Sequence, residues 1–220
     1  MKKIIGFILS TFLFHSVVNA EVGVNLGVSG SLGIFAATGS ETTGGLATHK
    51  DQASEYGAAG WGSIFIEKEL GDRLTIGIDY VPAALETETT ETTKNDMRTD
   101  GSSATTTSTN KLQIDFEDLT TLYAAINLTD AFYVKAGYVS VDVITNEDLG
   151  TGSTYGNTDL DGVSLGVGFN NDYDNGMFVR VEGNYMDFDG ASLTSTANSN
   201  KVDLSQLHGV SGKISIGKSF

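Results

Sequence analysis

Seven ionisable residues fall on the polar side of an alternating pattern: Asp79, Lys135, Arg180 and Glu182, joined by Glu67, Asp115 and Glu117. Two carboxylates held at a fixed separation can divide acid and base roles or line an ion path. Carboxylates interleaved with lysine and arginine can instead neutralise one another and fill an interior where an unpaired charge would be costly. Lys135 and Arg180 lie equally far from their preceding turns, and Asp79 and Glu182 match each other one step further on. That layering favours mutual pairing over catalysis. Other chemistry has little to work with. Beyond the N-terminal run the histidines are His49 and His208, in no metal-ligand spacing, and cysteine is absent. No nucleophile elbow or phosphate loop is present, so no catalytic residue, metal or cofactor is expected.

The elements that must position these charges are strands. From Val22 to Ile34, apolar residues at Val22, Val24, Leu26, Val28, Leu32 and Ile34 alternate with glycine, serine and asparagine. This period of two runs well past an ordinary soluble strand and reaches the roughly nine to eleven residues of a membrane crossing. Similar segments predict strands near 22–35, 56–69, 73–82, 111–126, 131–143, 160–169, 177–188 and 201–220. Connections near 36–55, 83–110, 144–159 and 189–200 are long and polar, whereas those near 70–72, 127–130 and 170–176 are short and turn-like. Alternating long and short connections predict an all-β fold, an eight-stranded antiparallel up-and-down transmembrane β-barrel, with both termini at the tight-turn end. The small residues opposite the valines and leucines suit a narrow lumen, whereas the outside of a soluble barrel would carry more charge. Phe35, Tyr80, Phe132, Phe169 and Tyr185 are candidate interfacial aromatics. Three places resist the pattern. Trp61 and Phe65 leave the phase of the second strand open. Asp118 lands on the nominal lipid face, so it should lie above the bilayer or follow a bulge. Apolar parity switches around Val139, Val141 and Val143, a place where the fifth strand could leave the membrane.

Lys2 and Lys3 precede an apolar run ending Val18-Asn19-Ala20, the form of a cleavable export leader. Residues 1–20 are therefore expected to be removed between Ala20 and Glu21, leaving residues 21–220 as the barrel domain. Cleavage takes the formal charge from −15 to −17. So acidic a chain lacks the basic stripe that nucleic-acid binding requires. Residues 83–110 contain ten threonines and five acids, a composition that fits a mobile excursion or an extended hairpin tip. Within it, Glu86, Glu88 and Glu91 could bridge divalent cations to lipopolysaccharide phosphates.

The last strand places Ile214, Ile216 and the terminal Phe220 on one face. Leader, alternation, loop lengths, Asp-containing turns and Phe220 together resemble the small outer-membrane β-barrel proteins, which include the outer-membrane protein A barrel and the opacity and adhesion proteins. The resemblance implies a bacterial outer membrane location, contact with its lipid and lipopolysaccharide, and Phe220 as the signal read by the barrel-assembly machinery. Lys218 departs from the most apolar form of that signal. A structural or surface-interaction role with a plugged lumen is expected, the extracellular partner being unspecified. The alternatives are a narrow porin or ion channel and a lipid A-modifying enzyme, for which His49 with Glu41 or Asp51 would be the rim site.

Overall fold

A computed structural model describes residues 23–43, 49–97, 105–150 and 152–220. The expected leader site at Ala20 and Glu21 lies outside these residues. The chain forms β1 (Val24–Thr43), β2 (His49–Leu70), β3 (Leu74–Tyr80), β4 (Leu85–Glu86), β5 (Thr90–Met97), β6 (Thr105–Asn127), β7 (Phe132–Leu149), β8 (Thr158–Asp172), β9 (Met177–Phe188), β10 (Ala191–Thr194) and β11 (Lys201–Ser219). Eight of them, β1, β2, β3, β6, β7, β8, β9 and β11, follow one another in an antiparallel ring that pairing of β11 with β1 closes. β4 and β5 prolong β3 along the edge of β6, and β10 prolongs β9 along β11.

Register fixes the tilt. Partners traced from Leu26 through Ile66, Ile78, Leu122, Tyr138, Val163, Asp187 and His208 return to β1 at Ala36, ten residues beyond the start. A stagger of this kind accompanies strands inclined by about 35–45° to the barrel axis. Each strand therefore climbs steadily around the wall, and height along the axis can be read from the register.

Tight turns join the strands at one end, where Gly71 (φ 73°) and Gly176 (φ 77°) adopt the left-handed conformation that side chains disfavour. At the other end the strands outrun their predicted limits. β1 and β2 continue to Thr43 and His49, and β5 and β6 form an extended hairpin within the Thr-rich segment. Closure leaves no free edge through the lower wall, as a sheet in lipid requires. There Leu32, Ile34, Val163, Leu165, Val181 and Ile214 point outward, with Leu32 76% exposed. The outward apolar residues are a lipid-facing belt, and the ring is a transmembrane β-barrel.

Candidate functional site

The barrel interior is the candidate site, and it has two layers. The lower layer is charged. Each strand delivers its residue there by alternation: Glu67 from β2, Asp79 from β3, Lys135 from β7, Arg180 and Glu182 from β9, and Lys213 from β11. All are buried or nearly so. Arg180 Nη1 lies 2.6 Å from Glu67 Oε1, Lys135 Nζ lies 2.6 Å from Glu182 Oε1, and Lys213 pairs with Asp79. Three cations thus meet three carboxylates. Tyrosines add to the network: the Tyr123 hydroxyl donates to Glu67 at 2.7 Å and the Tyr133 hydroxyl to Glu182 at 2.8 Å. Asn25 donates to Glu67 and Glu69 at the turn end.

Two glycines make room for those tyrosines. A Cβ on Gly77 would stand 2.7 Å from the Tyr123 ring, and one on Gly168 would stand 2.5 Å from the Tyr133 ring. The small residues opposite the apolar stripe are therefore seats for aromatic rings. Arg180 also lies over the Phe178 ring, 4.2 Å from its centroid, a stacking that suits a poorly hydrated guanidinium.

The upper layer is apolar. Trp61, Val81, Leu119, Val139, Val141, Val143, Leu160, Phe188 and Leu207 form one buried cluster, with Val139 0% exposed. Phe35 packs against Trp61 with ring centroids 5.9 Å apart, so it belongs to this cluster and not to an interfacial girdle. Where the layers meet, a cavity of about 20 Å³ is lined by Trp61, Asp79, Lys135, Asn184 and Lys213 among others. That is room for about one water molecule. A second cavity, of about 10 Å³, lies lower among the ion pairs.

Several sequence expectations change here. Asp115 and Glu117 do not enter the lumen. The β6–β7 register shifts between Glu117 and Thr120, and Asp118 adopts φ 53° in the bulge. One extra residue reverses the phase of a strand, so Ile114 and Phe116 pack against the apolar cluster above the bulge. Glu117 is exposed there, and Asp115 accepts from the Asn146 side-chain amide at 2.7 Å. Of the two placements expected for Asp118, above the bilayer or at a bulge, the register shift marks the bulge, and its carboxylate accepts from the Tyr80 hydroxyl at 2.6 Å. Apolar parity does switch at Val139, Val141 and Val143, without any break in the strand's alternation. These valines share the inward face of Lys135, and it is the lumen that turns apolar. Strand two is likewise in phase, with Trp61, Phe65 and Glu67 all inward.

Lys213, Tyr123 and Tyr133 were missed by sequence reasoning. Lys213 was legible, since it alternates with the outward Ile214 and Ile216. The tyrosines were hidden because aromatic residues in such strands read equally well as lipid-facing. Phe220 is exposed, and its backbone N–H donates to Val24 at 3.0 Å, joining the last residue to the first strand of the ring. Among the outer extensions, the half-buried Glu147 carboxyl is pushed above its ordinary range by burial, opposed by the N–H of Tyr155 that it accepts.

No family model matches the chain, and no curated protein matches it. Among solved structures it is similar to the outer membrane protein OprG from Pseudomonas aeruginosa, with 14% identity, 93% of this chain and 99% of that chain covered, and a TM-score of 0.47. It is also similar to Ail, the attachment invasion locus protein of Yersinia pestis, with 11% identity, coverage of 88% and 99%, and a TM-score of 0.35. Neisserial surface protein A gives 12% identity, 87% and 97%, and 0.36. The chain's own closed wall, apolar belt and polar lower lumen are those of an outer-membrane β-barrel.

Proposed function

We propose that this protein is a non-conducting outer-membrane barrel whose role is structural or surface-interacting, carried by the strands and loops beyond the belt. The observation that carries this reading is the doubly blocked lumen. Three ion pairs fill the lower layer, and the apolar cluster closes the barrel above them. Moving a hydrated ion through would require parting buried pairs and then crossing a dry layer, both costly steps. Outer-leaflet lipid and lipopolysaccharide contact the belt and its rim, and the strand ending at Phe220 is the segment presented to the assembly machinery.

Planar-bilayer recording of the purified, folded protein tests the reading. Silent membranes at high protein-to-lipid ratio are expected. Steady, ion-selective unitary currents from the unmodified protein would overturn it in favour of a narrow channel.

A further inference from the structure

Among the described residues, the seam between β2 and β3 is interrupted partway up the wall. β2 pairs with β3 from Leu70 up to Ile64, opposite Tyr80, and the ladder stops there although β2 continues to His49. Continuing the register would set Gly62 against Pro82, the chain's single proline. Even-numbered residues of β3 face β2, since Val81 donates to Leu119 on the opposite side. Pro82 thus occupies a ladder position where an N–H is required, and it has none to give. Beyond it, the chain follows β6 through β4 and β5 and makes no ladder with β2.

This leaves β2 with an open edge. Glu69 donates its N–H toward β1, so even-numbered residues of β2 turn their backbone groups the other way, toward the seam. Ser54, Tyr56 and Ala58 accordingly present donors and acceptors at strand spacing, and among the described residues nothing pairs with them. Tyr56 is 78% exposed. The edge lacks the usual protections, for residues 52–62 contain no proline, no lysine and no bulge against β1.

Charge selects the occupant. Exposed Glu55 on one lip and exposed Glu86 and Glu88 on the other make this region acidic, and residues 52–67 and 74–93 contain no lysine or arginine. A second copy would bring the same acidic lips, and anionic lipid headgroups would be repelled. We infer that the β2 edge from Gln52 to Gly60 is a docking strand for an extended, cationic segment of another polypeptide, bound by strand addition. The inference rests on the surface-interaction reading, and it names the surface and the chemistry of the partner.

The test uses the folded full-length barrel and, as probe, a synthetic ten-residue alternating Lys/Thr peptide. Its counterpart N-methylated at every residue keeps the charge and loses the donors of both edges. Binding of the first peptide should be saturable and should slow amide exchange at Ser54, Tyr56 and Ala58 by about tenfold or more. The methylated peptide should give no such protection, and replacing Glu55, Glu86 and Glu88 by Gln should weaken binding of the first. Equal binding of both peptides, protection elsewhere, or the same slow exchange without peptide would each overturn the docking edge. Any of these would leave the sealed lumen standing, because bilayer currents read the lumen alone.

Discussion

The lower and upper halves of this barrel are built with opposite polarity. Below, Lys135, Glu182 and Arg180 face inward while Leu165, Val181 and Ile214 face lipid. Above, Val141, Leu160 and Phe188 face inward while Asp142, Asp159 and Asp187 face outward on the same three strands. The alternation never breaks within these strands, so a change of residue type at fixed parity performs the inversion. The lower half is solved for lipid, and the upper half is solved like a water-soluble barrel with an apolar core. The part beyond the belt can therefore hold long strands upright without lipid to cover them.

Substitutions that treat the halves alike should separate them. The largest effect is expected from Glu67→Ala, which leaves Arg180 buried without its partner at a cost of about 3–5 kcal/mol. Urea unfolding of the folded barrel in detergent, followed by the single tryptophan, would measure it. Loss no greater than at a surface site would mean that the lower lumen is wet. Next, Ile214→Lys in the belt should cost about 2–4 kcal/mol in bilayers, the range for a lysine deep on a lipid face. By contrast, Asp187→Lys on the outer exterior should shift stability by no more than about 0.5 kcal/mol. Equal losses at both sites would erase the distinction between the two exteriors.

Leu160→Ala should cost about 2–3 kcal/mol through the cavity it leaves in the upper core. Amide exchange should quicken in the outer halves of β7 and β8 and stay unchanged around Lys135, whereas uniform quickening would show a single cooperative unit. A smaller loss than at Leu160 is expected from Tyr80→Phe, which removes the hydrogen bond to Asp118 at the bulge. A loss of about 1 kcal/mol is expected in the same unfolding experiment.

Much of the lower half was legible in the sequence, because period-two alternation between apolar residues and small or charged ones admits one arrangement. Glu67, Asp79, Lys135, Arg180 and Glu182 are brought together in the lumen as alternation places them. Asp115 and Glu117 were misplaced because the bulge signalled by Asp118 on the nominal lipid face was not carried through to the residues before it, whose phase it reverses. In the upper half, the switch of apolar parity at Val139, Val141 and Val143 was visible in the sequence, but the apolar core that it builds was not. Only their shared face with Lys135 shows them to be core. Pro82 was visible as the sole proline, but its consequence depends on register, which decides whether the ladder needs a donor there.

The polarity inversion is most directly tested by single-cysteine spin labels on β8 in lipid bilayers, a clean experiment in a chain without native cysteine. Collision with oxygen should dominate at Val167, Leu165 and Val163, and collision with a water-soluble nickel chelate at Asp161 and Asp159, with a label at Leu160 immobile and shielded from both. Oxygen-dominated collision continuing through Asp159, or free access of the chelate to Leu160, would contradict a barrel that leaves lipid at this height with an apolar core inside it.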